Sequence, residues 1–313
     1  MRLDDLPESG NVEDRREEGG FGGGGGGFGL PIGGGGLSIG AIVALGLIGW
    51  ALGIDPSLLI GGAEILTGPS QPQVQAPPTA RRTSAPHDDM GRFVSKVLGS
   101  TELQWKQIFA KDGKTYRPPV LVLYRGATHA SCGGAAQSAM GPFYCPADQK
   151  VYLDTSFFDQ IATRFRGCDV GSTTCRFSQA YVIAHEVGHH VQNLLGILPK
   201  VQRAQQSLDK VEANQVQVRV ELQADCLAGV WANRENEMLK SEGKPAFIEP
   251  GDVEAALRTA AAIGDDTLQR KAQGYVVPDS FTHGSSEQRQ RWFNTGFRSG
   301  AIASCNTFGA AQP

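Results

Sequence analysis

Residues 185–189 read His-Glu-Val-Gly-His. Two histidines four positions apart on a helix lie on one face, one turn from each other. At that spacing both imidazoles can reach one Zn²⁺ at about 2.0–2.1 Å. The glutamate between them sits beside that face. There it can act on a water at the metal without ligating the metal itself, which is the position of a general base in hydrolysis. A helix can also carry two histidines and a glutamate for no chemical reason, so the reading needs further donors.

A third protein ligand is the first requirement. The extended pattern that continues with Gly at 192 and His at 195 is excluded, because this chain has Gln192 and Leu195. His190 lies about 100° round the helix from His189 and suits a capping or supporting role. A better donor lies downstream in VELQADCLAGVWA, where Glu221 and Asp225 are four apart. A glutamate from a second helix completes a His₂Glu set and leaves a fourth position open. Asp225 can then accept the free N–H of one ligating histidine. Acids four apart usually mark a solvated face. Here Leu222, Ala224, Cys226, Leu227, Ala228, Val230 and Trp231 surround them, and acids buried in so apolar a run need a partner. Further on, FTHGSSEQRQRWF places His283 and Arg289 six apart. His283 could donate to a developing oxyanion, and Arg289 could orient it or pair with an acid. A surface turn followed by an arginine-rich helix would have the same spacing.

The combination of His-Glu-Val-Gly-His-His, Glu-Leu-Gln-Ala-Asp and Gly-Pro-Phe-Tyr-Cys-Pro-Ala-Asp resembles the neutral zinc metallopeptidases of bacteria, a family with an N-terminal membrane segment. It is more distantly similar to the M48-type membrane and periplasmic peptidases, which have a late Thr-His-Pro-x₄-Arg motif. Thr282, His283 and Arg289 match that motif, with Gly284 in place of proline. The resemblance covers roughly residues 90–305 and the apolar segment. It implies a zincin-like domain holding one Zn²⁺ through His185, His189 and Glu221. It also implies Glu186 as base, His283 as oxyanion donor, Asp225 and Arg289 as supporting residues, and a peptide or protein substrate. A membrane-tethered protein with this fold but no catalysis is the rival reading.

The elements that must position these residues follow from pattern. Ser178–Leu195 carries an apolar stripe, with Ser178 as N-cap and Gly196 as stop. Val94–Gln107 reads as a helix and Val120–Gly126 as a strand. Gly141–Asp154 reads as a strand or hairpin about Pro146-Ala147-Asp148, and Lys150–Asp154 could pair with an extended substrate. Pro250–Gly274 reads as a helix capped by Asp252. Few strands followed by many helices give an α+β fold for residues 90–313. Cys132 and Cys145 flank one loop and Cys168 and Cys175 another, which leaves Cys226 for Cys305. An even number of cysteines suits disulfides in an oxidising compartment.

The N-terminal third is different. Residues 1–36 are charged and then glycine-rich, and so are expected to be disordered. Residues 37–54 are uncharged, long enough at about 27 Å for a hydrocarbon core of about 30 Å. Residues 55–89 form a Pro/Gln-rich linker. Arg2, Arg15 and Arg16 precede the apolar run, which favours a single-pass inner-membrane protein with its catalytic domain exported to the periplasmic or extracellular side. A net charge of −3 supplies no basic excess for nucleic acid.

Overall fold

A computed structural model describes residues 1–17, 88–132, 134–137, 141–169 and 172–313. It is a mixed, mostly helical α/β arrangement. The elements in order are β1 (Val12–Asp14), α1 (Asp89–Lys111), β2 (Val120–Tyr124), β3 (Ala127–Ala130), β4 (Gly134–Gln137), β5 (Phe143–Cys145), β6 (Lys150–Asp154) and α2 (Ser156–Thr163). They continue with α3 (Thr173–Leu194), α4 (Ile197–Gln205), α5 (Lys210–Ser241), α6 (Asp252–Ala262), α7 (Asp265–Gln273) and α8 (Ser286–Ser299).

The main sheet has the order β1-β2-β6-β5. β1 and β6 run parallel to β2, in register at Val12–Leu121 and Leu121–Val151, and β5 is antiparallel to β6. Strand alternation sends Leu121, Leu123, Val151 and Leu153 into the helical core, and Val122, Tyr124 and Tyr152 into a small second cluster with Cys145. This is the period-two partition of a sheet covered on both faces. The β5–β6 hairpin forms where expected. However, β6 has a strand on each side, so its edges are already used and it cannot take an extended substrate.

Three expectations change. Residues 1–17, expected to belong to a disordered tail, are built into the domain: β1 joins the sheet, and Ser9 Oγ donates to the buried Glu102 at 2.5 Å. The Met1 amino group lies 2.7 Å from Asp252. Asp252 therefore does not cap α6, whose N-cap is Gly251. The third change concerns location. No helix among the described residues is long and apolar enough to cross a membrane, and residues 37–54 and 55–87 lie outside the described residues. Topology gives a further reason: a chain crossing a bilayer once between residues 17 and 88 would put β1 and β2 on opposite sides, whereas they are hydrogen-bonded neighbours. The expected single-pass inner-membrane protein with an exported domain is not supported.

The cysteines pair as proximity suggested: Cys132–Cys145, Cys168–Cys175 and Cys226–Cys305. The last ties α5 to the segment after α8.

Candidate metal centre

α3 begins earlier than its apolar stripe suggested. Ser172 is the N-cap, accepting from the Cys175 N–H, and Ser178 is buried inside the helix. Gly196, with φ 74°, ends it in the left-handed region that favours glycine. α5 is a 32-residue helix started by a capping box between Asp209 and Glu212. The two helices pack closely at Gly188: a Cβ there would lie 3.0 Å from the Ala224 carbonyl. The glycine inside the His-Glu-Val-Gly-His segment thus lets α3 approach the helix that carries Glu221.

That approach brings three donors together. His185 Nε2 lies 3.2 Å and His189 Nε2 3.4 Å from Glu221 Oε2, and ligand atoms of all three residues lie within 4.8 Å of one another. Metal–ligand bonds of about 2.0–2.2 Å in tetrahedral geometry put neighbouring ligand atoms about 3.3 Å apart. The two distances to Glu221 therefore fit a zinc-sized cation, and two imidazoles with one carboxylate fit zinc's preference. The remaining atoms are also engaged. His185 Nδ1 is 2.8 Å from Asp225 Oδ1, His189 Nδ1 is 2.9 Å from Gln192 Oε1, and Glu221 Oε1 accepts from Gln217 at 2.9 Å.

Asp225 is wholly buried and is the hub of the support. Its Oδ1 accepts from Tyr181 Oη at 2.5 Å and Arg289 Nη2 at 2.9 Å besides facing His185, and its Oδ2 accepts from Arg289 Nε at 2.9 Å. Of the two roles considered for Arg289, orienting an oxyanion or pairing with an acid, the structure has the second. Burial alone would raise the Asp225 pKa, but the charges of Arg289 and His185 outweigh it and hold the carboxyl well below its usual range. Burial disfavours the His185 imidazolium. The charge and hydrogen bond of Asp225, with the bond to Glu221, reverse this and push His185 up to about 10. Glu186 is pushed upward, chiefly by burial.

A cation entering this cluster competes with a proton for His185. Raising the pKa favours the protonated form, so metal affinity is expected to fall as pH drops from about 10 through neutrality. Titration calorimetry in buffers of different ionisation enthalpy should register proton release on binding. An affinity that is flat with pH would contradict this.

His283 is on the loop before α8, half-exposed. Partial burial opposes its cation, but Asp265 and the nearby Glu221 charge outweigh that and raise its pKa. Asp265 Oδ2 accepts the backbone N–H groups of Thr282, His283 and Gly284 at 2.7, 2.6 and 3.0 Å. Gly284 has φ 91°, which proline cannot adopt with its φ near −65°, so this loop has a path that the proline-containing motif would not allow. His190 does not join the metal cluster. It is buried against Tyr144 Oη at 3.0 Å and the Arg117 carbonyl at 2.6 Å, bracing α3 against the β5 strand.

Sequence reasoning passed over Tyr181, Gln192, Gln217 and Asp265. Three of them were within reach of helical spacing: Tyr181 precedes His185 by four, Gln192 follows His189 by three, and Gln217 precedes Glu221 by four. Asp265 meets its loop only through the fold.

Comparison with known proteins adds family information. The profile of the family described as "Putative neutral zinc metallopeptidase" matches residues 1–308. The chain is 50% identical over 310 residues to the uncharacterized protein YpfJ of Escherichia coli K12, covering 99% of both. It is 41% identical over 231 residues to the uncharacterized protein Rv2575 of Mycobacterium tuberculosis H37Rv, covering 72% of this chain and 74% of that one. No solved structure matches.

Proposed function

We propose, from the premise that this chain belongs to the neutral zinc metallopeptidase family, that it hydrolyses peptide bonds in a peptide or protein substrate at one Zn²⁺ held by His185, His189 and Glu221 in a zincin-like site. The observation that carries the reading is the convergence of His185 and the partly buried His189 on the carboxylate of the buried Glu221, at 3.2 and 3.4 Å, with the charge of Glu186 felt nearby. A bound Zn²⁺ supplies Lewis acidity to the scissile carbonyl and acidity to a water.

The chain's own residues do the rest. Glu186, with its pKa raised by burial, is suited to hold a proton transiently: it takes one from the attacking water and returns it to the leaving amine. His283 stands on a loop clamped by Asp265, and its cation donates to the oxyanion that develops on the carbonyl. Asp225 fixes the ring of His185 by accepting from Nδ1, and Arg289 neutralises Asp225 so that this carboxylate can stay ionised while buried.

The test uses the full chain. Metal analysis is expected to find one zinc per chain, and a broad peptide library is expected to be cleaved, with cleavage lost on chelation and restored by zinc. A wild-type chain that takes up no zinc overturns the reading.

A further inference from the structure

The two histidines are supported unequally. His185 faces the charged carboxylate of Asp225, whereas His189 faces the neutral amide of Gln192, a wholly buried residue. We propose that Gln192 and Gln223 form a relay, anchored on backbone carbonyls, that dictates which nitrogen of His189 carries its proton and so prepares the other for the metal. This rests on the metallopeptidase reading above.

The argument runs inward from groups that can only accept. The carbonyl of Cys305 accepts from Gln223 Nε2 at 2.9 Å. A carbonyl cannot donate, so the Gln223 amide cannot turn over without setting oxygen against oxygen. Its Oε1 must then face Gln192, from which it accepts at 3.0 Å. Gln192 Nε2 has a second acceptor, the Val220 carbonyl, at 2.8 Å. Two acceptors hold the amino end of Gln192 in place, so its Oε1 is the atom left for His189, 2.9 Å from Nδ1. An oxygen there requires Nδ1 to be the protonated nitrogen. The neutral ring then presents the Nε2 lone pair, which is the atom 3.4 Å from Glu221.

The relay also links the two ligand helices. Val220, whose carbonyl Gln192 holds, directly precedes Glu221, so one amide from α3 fixes the ring of one ligand and the backbone beside another. Cys305 is in turn bonded to Cys226 on α5. A structural glutamine would need neither this directionality nor this position. Gln192 and Gln223 are positioning residues: neither is among the metal donors.

The experiment measures zinc affinity by chelator competition on the full chain. It also records the His189 imidazole ¹⁵N shifts with zinc bound. Gln192→Met, similar in length but without hydrogen bonds, is expected to weaken zinc binding by about 10–100-fold. Gln192→Glu keeps an acceptor for Nδ1 and is expected to recover part of that loss. Gln223→Met touches no ligand and leaves the Gln192 amide held by one acceptor fewer. It is expected to weaken binding by a smaller factor and to broaden or shift the His189 Nδ1–H signal. Melting curves recorded in chelator separate loss of fold from loss of metal. If Gln192→Met and Gln223→Met both fold and bind zinc within about twofold of wild type, the relay is wrong while the peptidase reading stands. If wild type binds no zinc, the peptidase reading is what fails.

Discussion

Glu186→Gln is expected to lower peptide hydrolysis by about 10²–10⁴-fold, the usual range for loss of a positioned acid–base group, while the chain still binds zinc. Glutamine keeps the volume of the buried side chain and removes only its ability to take and return a proton. The proposed metal donors, His185, His189 and Glu221, are untouched. Burial raises the Glu186 pKa, while the nearby histidines pull the other way. A base with a raised pKa loses activity as pH falls through that pKa, so the acid limb of the wild-type pH–rate profile should vanish in the variant's residual rate. Turnover by both proteins, with zinc content measured in parallel, checks this. Zinc uptake with equal and negligible turnover in both would favour a binding or scaffold role over catalysis.

Arg289→Leu is expected to be the most destabilising of the substitutions considered. Arg289 and Asp225 are both buried, with two 2.9 Å contacts between them. Removing one member of such a pair leaves an uncompensated charge and costs about 3–5 kcal/mol. For a chain of this size that lowers the melting temperature by about 5–8 °C. The pH dependence has a definite sign. In wild type the folded pKa of Asp225 lies below its ordinary value, so the pair's contribution is present above the unfolded carboxylate pKa and is lost as pH falls through the folded value. In the variant, burial of Asp225 persists without its main counter-charge, so its pKa moves upward. The stability deficit should be largest at neutral pH and should shrink on mild acidification. Melting curves at both pH values test it, and a deficit that grows on acidification would count against the pair. Metal affinity should fall as well, because Asp225 also orients His185.

The candidate centre was unusually legible in the linear chain because its spacing is helical. Residues four apart share a helix face whatever the rest of the protein does, so His185 with His189, and Glu221 with Asp225, were pairs before any fold was known. The apolar residues around Glu221 and Asp225 pointed to burial for the same local reason. The cysteine pairs followed from closeness in sequence for two bridges and from elimination for the third. Helix boundaries were less legible: Ser178 looked like a cap, yet the helix starts at Thr173, and Phe177, one turn before Tyr181, already belongs to its buried face.

What the sequence alone determined was the set of candidate donors, the candidate base beside them, and the pairing of those residues on their own helices, since these depend on spacing within one turn. What tertiary structure decided was everything between elements. It set Arg289 against Asp225 rather than against substrate. It brought Asp265 to the His283 loop, and it directed the amides of Gln192 and Gln223 by carbonyls far away in sequence. It also drew residues 1–17 into the domain and Val12–Asp14 into the sheet, because β1 finds its partner in β2 across more than a hundred residues. A short strand has little local signature of its own: its stability comes from the neighbour that completes its hydrogen bonds, and that neighbour exists only in the folded chain.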